Sequence, residues 1–92
     1  MRREQTIASI QEVLKEKGIT KAYLCGSFAR NERRYHDIDL IIEPPERFSL
    51  LDLVHVEGIL EAKVNKKFDL LTFGGLSPYI KPYIEKDMVR II

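Results

Sequence analysis

The sequence has only one cysteine, Cys25, which excludes an internal disulfide, and nothing around it resembles a cysteine-based metal cluster. Long apolar runs are also missing, since none approaches the roughly 20 residues needed to cross a bilayer. The N-terminal residues lack an apolar stretch of signal-peptide length. We therefore expect a cytoplasmic protein with no membrane segment.

An excess of one charge is absent as well. Fifteen Lys and Arg residues stand against 14 Asp and Glu residues, for a net charge of +1. Domains that bind a nucleic-acid backbone are usually strongly basic. The balance argues against nucleic acid as a direct ligand.

What the sequence does contain is enough apolar material for one core: 45% of its 92 residues are hydrophobic. A chain of this length fits one domain, here taken as residues 1–92. Helix-like and strand-like patterns alternate along it, which predicts an α/β (α+β) fold: a small mixed sheet of three to four strands with helices packed on it. We predict helices at 3–17, 28–33, 50–63 and from Ser77-Pro78 onward, and strands at 21–25, 37–42 and 68–73, with an edge strand within 88–92.

Three aspartates are predicted to meet at one edge of this sheet. Alternation along a strand places Asp37 and Asp39 on the same face. Asp69 stands at the start of its own strand, and the helix between the two strands makes a crossover of the kind that joins parallel neighbours. Both strand starts then lie at one end of the sheet, so the three carboxylates converge.

Gly26 and Ser27 are predicted to lie beside these acids. The chain reverses between Cys25 and Asp37, so antiparallel pairing of the first two strands brings the end of one next to the start of the other. A glycine permits close approach of a phosphate, and Ser27 and the following N–H groups offer donors to phosphate oxygens. Crowded carboxylates favour a bound cation, and hard oxygen ligands suit Mg²⁺, with two ions able to hold both oxygens of an in-line displacement.

These residues resemble the signature of the DNA polymerase beta-type nucleotidyltransferase superfamily. GSFARN followed by DIDLII is similar to its G-S-x-A-R-G and D-x-D motifs, and Asp69 in FDLLTF matches its third carboxylate. The resemblance covers nearly the whole chain and is greatest to the minimal nucleotidyltransferases, or MNT proteins. It implies the palm-like fold of that superfamily, metal binding by Asp37 and Asp39, and Asp69 as a further metal ligand or as the base on an acceptor hydroxyl.

The resemblance also implies a partner and a reaction. Many MNT proteins are antitoxins of a neighbouring HEPN-domain ribonuclease, and some resemble enzymes that attach AMP from ATP to a tyrosine of that toxin. A chain of this size leaves no room for a second domain that would shape an acceptor pocket, so a macromolecular acceptor in a homo- or hetero-oligomer fits best. The alternative is a catalytically weak or inactive antitoxin that neutralises its partner by binding. Nucleic-acid binding, as in polymerases, is disfavoured by the near-neutral charge.

Several residues leave two interpretations open. Asn31 replaces the usual second glycine of the motif, and asparagine tolerates the left-handed backbone that the turn requires. Arg30 either contacts the triphosphate or pairs with Glu32 or another acid. The apolar residues between Leu50 and Leu60 form core or an interface, and Tyr79 and Tyr83 cover the edge of the core or bind a partner. We expect a solvated rim of charged side chains at Arg33, Arg34, Lys63, Lys66 and Lys67. We expect no functional role for His36 and His55.

Overall fold

The computed structural model describes residues 2–33 and 37–92, so two of the residues assigned above, Arg34 and His36, lie outside the described part. The helices are α1 (Arg3–Glu16), α2 (Gly26–Ala29), α3 (Leu50–Val64) and α4 (Lys81–Glu85). The strands are β1 (Lys21–Cys25), β2 (Asp37–Glu43), β3 (Lys67–Thr72) and β4 (Val89–Arg90), with a short 3-10 turn at Phe73–Gly75. None of the helices in the described ranges combines the length and the apolar character needed to cross a bilayer.

The four strands form one mixed sheet in the order β3-β2-β1-β4. β1 pairs antiparallel with β2 and with the short edge strand β4. β2 and β3 are parallel, and α3 is the crossover between them. The predicted mixed sheet, its antiparallel first pair and its parallel second pair are therefore confirmed.

Alternation along β2 divides the sheet into an apolar face and an acidic face. Ile38, Leu40 and Ile42 are fully buried and pack with residues of α1 and α3 in a single core cluster. Asp37 and Asp39 alternate with Ile38 and Leu40 in sequence and point to the opposite face. The strand is thus anchored by one set of side chains while it presents the other set for chemistry.

The start of α3 is fixed by a capping pair formed by Ser49 and Asp52. The Asp52 backbone N–H donates to Ser49 Oγ over 3.2 Å, and the Ser49 backbone N–H donates to Asp52 Oδ2 over 2.7 Å. The hydrogen bonds from Ser49 hold the pKa of Asp52 below its ordinary value. Two N–H groups that the first helical turn leaves free are satisfied in this way.

We expect Ser49→Ala to lower the free energy of unfolding by about 1 kcal/mol, because it removes the acceptor for one of these N–H groups. Urea unfolding followed by circular dichroism measures the change. Ser9→Ala, in the middle of α1, is the matched control and should cause no loss, since alanine is the better helix former there. An equal loss in both variants would mean that the Ser49 hydroxyl does not act as a cap.

The last helix differs from the prediction. It begins at Lys81 rather than directly after Ser77, because Ser77 initiates a turn: its Oγ accepts from the Tyr79 N–H and its carbonyl accepts from the N–H groups of Ile80 and Lys81. Pro82 consequently lies in the first turn of α4, where a missing N–H costs nothing. The brief second helix also begins earlier than predicted, at Gly26, and ends at Ala29.

Two groups of apolar side chains assigned first to the core are in fact exposed. Val56, Leu60 and Val64 form the buried side of α3, and a helix that packs on a sheet buries only one side. Leu50, Leu51 and Val54 lie on the other side and are 76%, 80% and 59% exposed. Tyr79 and Tyr83 are likewise exposed and do not cover the core.

Candidate active site

Two of the predicted carboxylates are neighbours across the parallel pair of strands. Asp39 of β2 lies in register with Asp69 of β3. Asp37 precedes Asp39 by two residues on the same face of β2. Asp37 and Asp39 are half-buried, whereas Asp69 is exposed. The backbone therefore places all three acids on one face, at the starts of adjacent strands.

The electrostatics of this face centre on Asp39. Burial raises the pKa of its carboxyl above the ordinary value, and the charges of Asp69 and Asp37 raise it further. Arg30 acts in the opposite direction. A carboxylate that is costly to ionise among like charges is stabilised when a cation joins the group.

We expect Asp39→Asn to raise the Tm of the metal-free protein at neutral pH. A carboxyl whose pKa is raised on folding stabilises the folded state only while it is protonated, and that contribution is lost as the pH rises through the raised pKa. The difference in Tm between the variant and the wild type should thus shrink from pH 7 toward pH 4. Thermal scans in EDTA across this range measure it, and a difference that grows on acidification would contradict the assignment.

Gly26 brings the backbone against this acid. Cys25, at the end of β1, lies in register with Asp39, and Gly26 follows with φ at +71°. A Cβ built on Gly26 would overlap the Asp39 carboxylate. Glycine is favoured here for two reasons. Other residues rarely adopt this backbone conformation, and the Asp39 carboxylate occupies the space that a side chain would need. Ser27 follows in α2 and is half-buried.

Arg30 is engaged with acids, the second of its two predicted interpretations. Its guanidinium donates to Glu32 Oε2 over 3.0 Å and to Asp87 Oδ2 over 2.9 Å. Asp87 was not predicted from the sequence. Its bond to Arg30 connects the segment after α4 to the residue that follows α2. Asn31 adopts φ +59°, which confirms that asparagine can replace glycine in this left-handed position.

A pocket of about 260 Å³ lies between the acidic face and α4. Its lining joins four residues near the predicted site (Cys25, Gly26, Arg30 and Asp39) to four from later segments (Leu71, Tyr83, Ile84 and Asp87). Strand alternation could have identified Leu71, which follows Asp69 by two residues on the same face. No local pattern places Ile84 or Asp87 there. A larger and more open depression, lined by Glu61, Asn65, Lys66 and Lys67, contains none of the predicted site residues.

The acids do not form a closed metal site as they stand. Across residues 2–33 and 37–92, no three His, Cys, Asp or Glu side chains are arranged to hold a metal ion. The register nevertheless places Asp39 and Asp69 at adjacent positions on neighbouring strands. Their chemistry fits a hard divalent cation. The metal role of Asp37, Asp39 and Asp69 stays a prediction.

Comparison with known proteins identifies the relatives of this fold. The model of the nucleotidyltransferase domain family matches residues 7–91. A Methanocaldococcus jannaschii protein that is provisionally named a protein adenylyltransferase is 37% identical in an alignment that covers 95% of this chain and 99% of the relative.

Two solved structures show the same architecture. One, described as a minimal nucleotidyltransferase, superposes with a TM-score of 0.81 at 26% identity, over 97% of this chain and 95% of its own. The other contains the tri-AMPylated HEPN toxin of Shewanella oneidensis in complex with its MNT antitoxin. It matches with a TM-score of 0.80 at 15% identity, over 99% of this chain and 72% of that one.

Proposed function

Because this chain belongs to the nucleotidyltransferase domain family, we propose that it transfers AMP from ATP, in the presence of Mg²⁺, to a tyrosine hydroxyl of a HEPN-domain ribonuclease and acts as the antitoxin of that enzyme. The observation that carries the proposal is the register of Asp39 with Asp69 directly beside Gly26. This arrangement places two carboxylates that can bind a cation next to the Gly26 backbone, which a phosphate can approach closely.

Different residues of the chain would bind the phosphates and the metal. Gly26 and Ser27 would receive the phosphates, and Arg30 would join them by exchanging its bonds to Glu32 and Asp87 for bonds to phosphate oxygens. Asp37, Asp39 and Asp69 would hold Mg²⁺, and two ions would bind if the triphosphate supplied further ligands. The metal would neutralise charge on the triphosphate and on the leaving pyrophosphate.

The transfer itself is a displacement at the α-phosphorus. The tyrosine oxygen forms a bond to this phosphorus, the bond from the α-phosphorus to the oxygen that bridges to the β-phosphorus breaks, and pyrophosphate leaves. The hydroxyl proton passes to a carboxylate, for which the exposed Asp69 is the candidate base.

The protein's own surface supports a macromolecular partner. Tyr79 and Tyr83 are 86% and 72% exposed, and Ile80 between them is 53% exposed. Tyr83 also lines the pocket that contains Asp39. Exposed aromatic residues at the mouth of a site are typical of surfaces that receive a partner protein.

The test is a transfer assay with the protein encoded next to this one. Both proteins are incubated with Mg²⁺ and ATP labelled at the α-phosphate, and the labelled chain is identified by electrophoresis and peptide mass spectrometry. We expect label on a tyrosine of the partner, and none in EDTA or with ATP labelled at the γ-phosphate.

The same assay distinguishes a second candidate function, an antitoxin that acts by binding alone. The absence of a preformed three-ligand metal site among the described residues favours this candidate. It would be established by a stable complex that inhibits the ribonuclease while no nucleoside triphosphate and no divalent cation gives label on either chain.

A further inference from the structure

The side of α3 that points away from the sheet carries apolar surface that this chain leaves uncovered. Leu50, Leu51 and Val54 are 76%, 80% and 59% exposed. Gly58 and Ala62 continue the same side toward the end of the helix and are exposed as well. Spacings of three and four residues bring these five positions together on one face, here called the α3 outer face. None of the five has a charged or polar side-chain group.

We propose that the α3 outer face binds the same face of a second copy of this chain, so that two α3 helices pack antiparallel about a two-fold axis. The inference does not depend on the proposed function. It assigns an interaction surface to the side of the sheet opposite the acidic face.

The two halves of the α3 outer face complement each other in size. The first half has the large side chains of Leu50, Leu51 and Val54, and the second half has only Gly58 and Ala62. A Cβ built on Gly58 would meet no atom of the described residues within 4 Å, so this chain does not fill the space above it. In an antiparallel pair, the large first half of each helix lies on the small second half of the other.

The spacing of Leu51 and Gly58 gives the register of the pair. These residues are seven positions apart, which corresponds to two turns and about 10.5 Å of helix. A two-fold axis that passes between Val54 and His55 places Leu51 of each copy opposite Gly58 of the other. Each such contact then forms twice, as it does in any isologous interface. A small residue at the contact lets two helix axes approach to about 8 Å.

Gly58 has no evident role within a single copy. Glycine destabilises the interior of a helix relative to alanine. Gly58 lies inside α3 and does not have the positive φ that favours glycine, unlike Gly18 and Gly26. Neither the backbone conformation nor a contact among the described residues requires glycine at this position. A close approach by a second helix accounts for it.

A second copy suits this surface better than the acceptor protein does. α3 packs on the side of the sheet that carries Ile38 and Leu40, whereas Asp39 and Asp69 lie on the opposite face. An acceptor hydroxyl has to reach the acidic face, so the path of the acceptor does not cross the α3 outer face. The net charge of +1 also leaves little repulsion between identical copies.

The size of the face indicates a weak dimer. α3 has 15 residues, so it is about 22 Å long and about 10–12 Å wide with its side chains. Covering one side of such a helix buries roughly 400 Å² on each copy, or about 800 Å² in total. Stable interfaces bury about 1,200–2,000 Å². We therefore expect a dissociation constant on the order of 100 µM.

The test is sedimentation velocity at protein concentrations from about 20 µM to about 1 mM, a range that brackets this dissociation constant. We expect the mass to rise from that of one chain, 10.7 kDa, toward twice that value. Leu51→Lys should weaken the dimer at least about tenfold, because one apolar contact is lost twice. Tyr79→Lys is the matched control, since Tyr79 is an exposed apolar residue outside α3, and it should associate like the wild type.

A mixing experiment tests the antiparallel register. Gly58→Glu alone should also be monomeric, and an equimolar mixture of Leu51→Lys with Gly58→Glu should recover the dimer. In the mixed pair, the introduced lysine and glutamate lie opposite each other, and the second contact keeps its original leucine and glycine. Both positions are exposed, so circular dichroism should show that each variant is folded.

Three results would overturn the inference. A wild type that stays monomeric at about 1 mM, ten times the expected dissociation constant, does not pair with itself. A dimer that survives in both variants forms through another surface. If both variants are monomeric and their mixture does not recover the dimer, the antiparallel register is wrong. The transfer assay reports separately on the proposed function, because the acidic face stays open in the monomer and in the dimer.

Discussion

Asp39→Asn is expected to lower the rate of AMP transfer by about 10²- to 10³-fold, the usual effect of removing one group that stabilises charge in a transition state. Asparagine keeps the size of the side chain and removes its charge. Asp39 lies between Asp37 on its own strand and Asp69 on the next, and it forms the wall of the pocket beside Gly26. Initial rates of label transfer to the partner protein measure the loss.

Glu43→Gln is the matched control for this experiment. Glu43 is an exposed acid on the same strand and the same face, four residues beyond Asp39 and outside the pocket lining. Its replacement should leave the transfer rate unchanged. Since Asp39→Asn is expected to raise the Tm at neutral pH, unfolding would not explain its loss of activity. A full transfer rate in Asp39→Asn with unaltered Mg²⁺ dependence would remove the acids from the mechanism.

The second large effect is expected from Gly26→Ala, which should both destabilise the protein and inactivate it. A residue with a side chain at φ +71° costs about 1–2 kcal/mol. The new methyl group would also displace the Asp39 carboxylate that it overlaps. Displacement of a catalytic group by about 1 Å can reduce a rate about 10²-fold. Urea unfolding and the transfer assay measure the two effects on the same preparation.

Gly58→Ala provides the opposite expectation at a second glycine. Gly58 lies inside α3, and a Cβ built on it would have no atom within 4 Å. Alanine there should stabilise the protein by roughly 0.5–1 kcal/mol, because it restricts the unfolded chain and favours the helix. The transfer rate should not change. If Gly26→Ala behaved in the same way as Gly58→Ala, the close approach of Gly26 to Asp39 would be disproved.

The parts of the site that were predicted from sequence depend on short-range rules. Alternation placed Asp37 and Asp39 on one face, and the crossover through α3 implied the parallel pairing that sets Asp69 beside Asp39. Each step needed only the period of a strand or the length of a connection. The same rules gave the order of the elements.

The parts that were missed depend on contacts between distant segments. Asp87 reaches Arg30 across 57 positions of sequence, and no local pattern encodes that pairing. Leu50 and Leu51 are as apolar as the buried residues of α3, so composition alone could not say which side of the helix would meet the sheet. Ser77 and Pro78 form a valid helix start by type, but the turn that follows them postpones α4 to Lys81.

The position of β2 within the sheet affects the thermodynamics of ligand binding. Because β2 is hydrogen-bonded to a strand on each side, the backbone that carries Asp37 and Asp39 is already ordered in the free protein. Ordering a mobile segment costs about 1–2 kcal/mol of backbone entropy for each residue. A ligand that binds these acids needs to fix their side-chain rotations but does not also have to order the backbone that carries them.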